Sequence, residues 1–242
     1  MDAANDIPAF DTALFDAGLT LIHPVSTVEK IYAQYAARSG IPLPRLVSEI
    51  RRHFRDLFGA ERREMAEGRD GFVWSDELDR QMWRRVCCSV AERIPGLTDE
   101  PEQWFEQLYE HFGRAETWKL FEDASATLEG LRRAGLRVGV VSNWDSRLLG
   151  ILDGLELTPL LDTAVVSGRD GTRKPGAQIF QLALERLGAD PAAVIMVGDS
   201  VTDDVEGAAR AGLTGVLIHR GQDPPPAGVP VIRSLRELLP RA

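Results

Sequence analysis

Only two cysteines occur in this chain, and they are neighbours, Cys87 and Cys88. Adjacent cysteines make a poor disulfide framework, so packing on a helix is their expected role. Basic residues are also scarce: 28 Lys and Arg stand against 37 Asp and Glu, a formal charge of −9. Nucleic acid is disfavoured as a partner, because its phosphates need a basic face. An anionic substrate must instead be drawn in by a local cluster of positive charge, against the net field. No apolar stretch approaches the roughly 20 residues of a membrane-spanning helix, so no membrane partner is expected. Met1 to Phe10 is acidic and lacks the apolar run of a secretory leader, and a soluble cytoplasmic protein is the expectation. There is no internal repeat. Gln222 to Gly228, with three consecutive prolines, reads as a surface loop.

What the chain does have is enough apolar residues, 44% of 242, for one large domain or two modest ones. From Ala124 onward, short β-branched runs alternate with helical stretches. The runs are Val138 to Val141, Ala164 to Val166, Val194 to Val197, Val216 to Ile218 and Val231-Ile232; an earlier one, Ala13-Leu14-Phe15, lies near the N-terminus. Gly135, Gly188 and Gly212 fall where helices would stop, and Ser234 with Glu237 reads as a capping box. This alternation predicts an α/β fold, a Rossmann-like doubly wound parallel sheet with helices on both faces. Val25 to Phe112 has no strand texture. Val28, Ile31, Tyr32 and Tyr35 make one helical face; Leu46, Ile50, Phe54 and Leu57 a second; Leu78, Met82, Val86 and Val90 a third; Trp104, Phe105, Leu108 and Phe112 a fourth. A helical bundle inserted after the first strand is therefore expected, with the α/β core at 1–22 and 117–242 and the insert at 23–116. His23-Pro24 and Glu116 to Asp123 are the expected linkers.

Four short segments carry the chemistry: Phe15-Asp16-Ala17-Gly18-Leu19-Thr20, Val141-Ser142-Asn143-Trp144-Asp145, Arg173-Lys174-Pro175, and Val197-Gly198-Asp199-Ser200 running on to Asp203-Asp204. Taken singly they are weak. An aspartate after a strand is usually a turn or a helix cap, Gly-Asp-Ser is a common turn, and Lys-Pro alone means almost nothing. Together they fall at the carboxyl edge of the predicted sheet, where open α/β sheets bind ligands. Lys174 reads as opening a helix, with Pro175 in its first turn. His23 reads as a boundary residue, and Asp203 as a solvated helix-start residue.

In that order the segments resemble the four motifs of the haloacid dehalogenase superfamily. Ser142 to Leu148 and Gly198 to Ala208 look like its domain-containing 3 subgroup, and the similarity runs from Thr12 to His219. The resemblance implies that Asp16 is a nucleophile, that Lys174 offsets charge on it and on a phosphoryl group, and that Ser142 hydrogen-bonds a phosphoryl oxygen. It implies a Mg²⁺ site made of Asp16, the carbonyl of Gly18, Asp199 and Asp204, in keeping with the hard oxygen ligands Mg²⁺ prefers. Thr20, Ser142, Asn143, Trp144 and Lys174 are the candidate substrate-binding residues, and the helical insert is like the cap that closes over the pocket. The implied substrate is a small phosphorylated metabolite; monomer and homodimer both remain open.

One residue departs from the pattern. Phosphatases of this superfamily carry a second aspartate two places after the nucleophile, where this chain has Gly18, and their usual glycine at the next position is Leu19 here. The second aspartate protonates the leaving oxygen and later activates water. Such assistance is worth on the order of 10²–10⁴ in rate, or roughly 3–5 kcal/mol of barrier. Three readings follow: a phosphatase that is slow or takes its acid from the cap or the substrate; a 2-haloacid dehalogenase, whose halide leaving group needs no proton but whose chemistry uses no metal; and a phosphate-ligand or partner-binding protein that has lost turnover.

Overall fold

The computed structural model describes residues 7–36, 41–67 and 73–240. The outermost residues of the expected core, 1–6 and 241–242, and residues 37–40 and 68–72 of the expected insert lie outside them. The chain begins with strand β1 (Thr12–Phe15) and a short β2 (Ile22–Pro24). It continues through helices α1 (Val28–Tyr35), α2 (Leu43–Glu67), α3 (Asp76–Arg93) and α4 (Pro101–Phe112). After β3 (Trp118–Leu120) come α5 (Ala124–Arg133), β4 (Arg137–Ser142), α6 (Arg147–Gly154), β5 (Thr163–Val166), the single turn α7 (Ser167–Asp170) and α8 (Ala177–Leu187). The chain then forms β6 (Val194–Gly198), α9 (Gly207–Arg210), β7 (Thr214–Ile218) and β8 (Val231–Ile232).

Six strands make a wholly parallel sheet in the order β5-β4-β1-β6-β7-β8. All four residues of β1 are buried, as a central parallel strand covered on both faces requires. Alternation along the strand sends Ala13 and Phe15 into one apolar cluster, with Leu128 of α5 and Ile151 of α6. Leu14 joins the other, with Ile179 and Phe180 of α8. The chain leaves β1 for β4 and β5 on one side, then returns with β6, β7 and β8 on the other. This reversal puts a topological switch point at the carboxyl end of β1. The left-handed glycines Gly135, Gly188 and Gly212 stand where the sequence places them, and the Ser234–Glu237 capping box is formed, though it opens only a short turn.

Helices α1 to α4 share an apolar core of their own around Ile31, Tyr32, Ile50, Val90, Trp104 and Phe105. Cys87 is buried in it, where the loss of solvation pushes its thiol up to about 12 and keeps it protonated. The third helical face differs from the sequence reading at one residue, with Met82, Val86 and Val90 buried as expected. Leu78 is 40% exposed whereas Asp79 is 4% exposed, so the inward row of α3 runs Asp79, Met82, Val86, Val90. Ser75 caps the helix by accepting a hydrogen bond from the Leu78 N–H. The helical period puts Asp79 in phase with Val90 and turns Leu78 about a third of a turn off that row.

The segments expected to be plain linkers form a ribbon. β2 and β3 pair antiparallel, with Ile22 opposite Leu120 and Pro24 opposite Trp118. Runs of three residues are too short to show a period of two. His23 stands on this ribbon with its ring 4.7 Å from that of Phe121. Among the described residues no helix is long and apolar enough to cross a membrane.

Candidate active site

The three central strands each deliver a side chain to one place. Asp16 follows β1 directly, and its N–H continues the ladder to Val197 O at 2.9 Å. Ser142 ends β4, and Asp199 follows β6. Asp204 comes from a π-helical turn, Val201–Glu206, whose first residues are tied to Ser200. The Ser200 N–H donates to Asp204 Oδ2 at 2.9 Å and Ser200 Oγ accepts from the Asp203 N–H at 3.2 Å. A side chain at Gly198 would collide with Asp204, since an added Cβ would lie 2.1 Å from its carboxylate. Glycine before Asp199 is therefore what lets the two carboxylates approach.

Lys174 lies between Asp16 and Asp204. Its Nζ donates to Asp16 Oδ1 at 2.8 Å and to Asp204 Oδ1 at 2.6 Å. Ser142 Oγ donates to the same Asp16 oxygen at 2.8 Å, which leaves Oδ2 for other work. The lysine backbone is held by Asn143, whose side-chain amide donates to Lys174 O at 2.9 Å and accepts from the Lys174 N–H at 2.8 Å. Lys174 does not open a helix. The Lys174–Pro175 peptide is cis, the chain turns there, and α8 starts only at Ala177 with Gly176 as its cap. Asn143 thus acts on the lysine's backbone rather than standing free beside Ser142.

Carboxylate oxygens of Asp16, Asp199 and Asp204 lie within 4.8 Å of one another. Three carboxylates against one ammonium group leave an excess of negative charge, and the titration behaviour reflects it. Asp204 is held above the ordinary carboxylate range by burial; Lys174 opposes the shift and Asp16 adds to it. Asp199 remains open to the cavity but is hemmed in by protein. That enclosure, then the charges of Asp16 and Asp204, pushes it up as well. Burial would lower Lys174, but the two carboxylates it touches win and hold it above its usual value. An oxygen-rich, anionic, partly open cluster fits a hard divalent cation such as Mg²⁺.

The cluster floors a cavity of about 220 Å³, which Gly18, Asn143 and Trp144 also line. Thr20 does not reach it. Its side chain is fully buried and its carbonyl accepts from Arg220 Nη2 at 2.9 Å, because the turn from Ala17 to Ile22 carries it away. Within that turn Leu19 has φ +58 and is 55% exposed. Above Gly18 lies the Trp144 ring; an added Cβ would be 3.3 Å from its Cζ3. The Trp144 backbone is pinned by Ser167, whose Oγ accepts from the Trp144 N–H and donates to its carbonyl, both at 3.0 Å.

A sequence profile of haloacid dehalogenase-like hydrolases matches residues 10–212, which include all four motif segments. The chain belongs to this family. As a haloacid dehalogenase-like hydrolase it has relatives along nearly its full length. It is 32% identical over 239 residues to haloacid dehalogenase-like hydrolase domain-containing protein 3 of Danio rerio, covering 94% of each chain. It is 29% identical over 173 residues to a ribulose-1,5-bisphosphate 5-phosphatase of Halopiger xanaduensis, covering 70% of each. Among solved structures, an L-2-haloacid dehalogenase from Xanthobacter autotrophicus matches with a TM-score of 0.69 at 20% identity, over 95% of this chain and 96% of that one, a likeness of fold alone.

The roof of this hydrolase's cavity holds residues that no motif marks: Asp79, Met82 and Trp83, successive members of one α3 face. Trp83 and Trp144 also wall a separate apolar chamber of about 130 Å³, which helices α1 to α4 share with Trp118 and Arg147. The roof is latched down at two points. Asp76 accepts from the Ser146 N–H at 2.8 Å and from Ser146 Oγ at 2.6 Å, and the Trp74 N–H donates to Gly171 O at 3.1 Å. Farther along, the Tyr109 hydroxyl donates to Asp145 Oδ2 at 3.2 Å, and the Arg147 guanidinium lies 3.4 Å from the Tyr109 ring centroid. The sequence signal for Asp79 was present but faint: an acidic residue in phase with Met82, Val86 and Val90.

Proposed function

We propose that this hydrolase is a Mg²⁺-dependent phosphatase that acts on a small phosphorylated metabolite through an aspartyl-phosphate intermediate. The observation that carries this reading is the convergence of Ser142 Oγ and Lys174 Nζ on one oxygen of Asp16, beside the carboxylates of Asp199 and Asp204. In it, Asp16 Oδ2 attacks phosphorus while Lys174 and Ser142 orient the carboxylate and stabilise charge on the phosphoryl oxygens. A divalent cation held by Asp16, Asp199, Asp204 and the Gly18 carbonyl would neutralise charge on the phosphoryl group. The acidic cluster favours this reading over dehalogenation, which uses no metal. The phosphatase named among the relatives supports the same substrate class. The insert acts as a cap that selects the substrate, divided from the core at 22–23, within β2, and at 116–117, just before β3.

The test is hydrolysis of p-nitrophenyl phosphate, with and without Mg²⁺. Turnover is expected only with the metal, and Asp16→Asn, which keeps the shape and removes the nucleophile, is expected to fall to background with an unchanged melting temperature. Full activity of Asp16→Asn, or of the wild type in excess chelator, would sink the phosphatase reading. A wild type that binds phosphate yet turns nothing over would instead indicate the binding protein.

A further inference from the structure

Gly18 leaves the cavity floor without the second carboxylate that would protonate a leaving group. Five aspartates line the cavity: Asp16, Asp79, Asp199, Asp203 and Asp204. Three form the acidic cluster, and Asp203 adjoins Asp204 on the same floor turn. Of the five, only Asp79 comes from helix α3 and not from the strand ends and turn of the sheet. In phosphoryl transfer the attacking and leaving oxygens lie roughly in line through phosphorus. With the nucleophile on the floor, the leaving oxygen must point to the roof, and the water that later cleaves an aspartyl phosphate must come from there too.

Asp79 has the marks of a group kept for use. It is 4% exposed on an otherwise apolar helix face. Its Oδ1 accepts from Trp74 Nε1 at 3.1 Å, whereas its Oδ2 is buried with no hydrogen-bond partner among the described residues. A buried polar atom left unpaired is destabilising, so an aspartate that only filled space would be a poor choice there. Trp74 carries the Arg173 guanidinium 4.1 Å from its ring centroid, which links the roof aspartate to the segment bearing Lys174.

We propose that Asp79 is the general acid and base that position 18 does not provide. The inference rests on the phosphatase reading. In the first step Asp16 Oδ2 bonds to phosphorus, the P–O ester bond breaks, and the carboxylic proton of Asp79 passes to the leaving oxygen to give the free alcohol. In the second, water attacks phosphorus, its proton returns to the Asp79 carboxylate, and the P–O bond to Asp16 breaks, releasing phosphate. Both aspartates end as they began. The charged groups around Asp79 are consistent with this. Burial pushes its pKa up to about 6, and Asp145 of the β4–α6 loop adds to the shift. The Trp74 hydrogen bond and then Arg173 and Arg147 oppose it. The start of α3 also favours the charged form, yet burial prevails. A carboxyl group of pKa about 6 is available in both forms near neutral pH, as a group that alternates between acid and base requires.

The experiment compares Asp79→Asn with wild type in Mg²⁺ on two esters: p-nitrophenyl phosphate, whose leaving group needs no proton, and glycerol 2-phosphate, whose alkoxide does. Because kcat/KM covers the steps through departure of the leaving group, the variant is expected to lose about 10²-fold on the alkyl ester and less than about 10-fold on the aryl ester. On the aryl ester kcat should fall while kcat/KM holds, with a burst of nitrophenol, since water activation is also lost. Equal losses on both esters, or none, would overturn the proposal. If the variant does not fold, the wild type decides: an alkyl ester within about 10³-fold of the aryl ester in kcat/KM supports an acid in the roof, and a wider gap overturns it. A wild type that hydrolyses neither ester would overturn the phosphatase reading and this proposal together.

Discussion

Asp16, Asp199 and Asp204 stand on strand ends and a turn locked into a six-stranded sheet, whereas Asp79 stands on a helix joined to that sheet by one short ribbon and a seam of hydrogen bonds. The floor is positioned by parallel register, Phe15 opposite Val140 on one side and Val197 on the other. A slip there would turn every buried side chain of β1 to the wrong face. The roof is positioned by its own helix packing and by side-chain contacts such as Asp76 with Ser146. On the proposed reading, invariant chemistry belongs to the first and groups that meet and release a substrate to the second.

The sharpest way to break the division is to move the roof's acid to the floor. Gly18→Asp in an Asp79→Asn background should recover alkyl-phosphate hydrolysis by up to about 10²-fold over Asp79→Asn alone, read as kcat/KM. The new Cβ, 3.3 Å from the Trp144 ring, obliges that ring to yield by a few tenths of an ångström. Leu19→Gly alongside it removes a left-handed non-glycine residue and frees the loop. No recovery in either background, with Mg²⁺ still bound, would mean that the floor cannot host the acid.

A smaller effect concerns charge. In the metal-free protein Asp79, Asp199 and Asp204 are all raised above ordinary carboxylates, so the fold favours their protonated forms. That stability is fully present below the unfolded carboxylate pKa of about 4 and is lost as pH rises through about 6, where Asp79 ionises, with Asp199 and Asp204 pulling the same way. Melting temperatures in chelator should therefore fall between pH 5 and pH 8. Saturating Mg²⁺ should remove the floor's share of that fall and Asp79→Asn the roof's. A flat profile in chelator would contradict the crowding of charge on the floor.

The smallest effect tests the seam. Asp76→Ala removes both bonds to Ser146 and should cost closure about 1 kcal/mol, seen as a roughly fivefold rise in KM with kcat little changed. Gly168 faces the same aspartate so closely that an added Cβ would lie 2.1 Å from its Oδ1. An unchanged KM would show that the ribbon and the Tyr109 contacts suffice to hold the roof down.

Most of the floor was legible in the sequence because three of its residues follow short apolar strand runs: Asp16 after Leu14-Phe15, Ser142 after Val140-Val141, Asp199 after Val197-Gly198. Strand ends are local signals, and parallel strands bring them to one edge. The roof was not legible in the same way. A helical face read from apolar residues alone admitted Leu78 in place of Asp79, because steps of four residues drift off the row whereas the acidic Asp79 keeps the helical phase of Met82, Val86 and Val90. Thr20 lay in the right segment but on a turn whose hydrogen bonds point it inward. Asn143 stood beside Ser142 in sequence, yet its partner is the Lys174 backbone, 31 residues on. The ribbon escaped notice because strands of three residues leave no pattern to count.

The indoles of Trp74 and Trp83 belong to the insert and that of Trp144 to the core, and all three stand along the seam between them. Trp74 shares its N–H with Asp79, and its ring lies beside a guanidinium; Trp144 meets Trp118 of the ribbon at 4.8 Å between ring centroids. Indole emission shifts in colour and intensity with the polarity and charge around the ring. The unlabelled molecule therefore carries an optical gauge of its own seam, with reporters on both sides and one of them bonded to the aspartate whose proton is at issue.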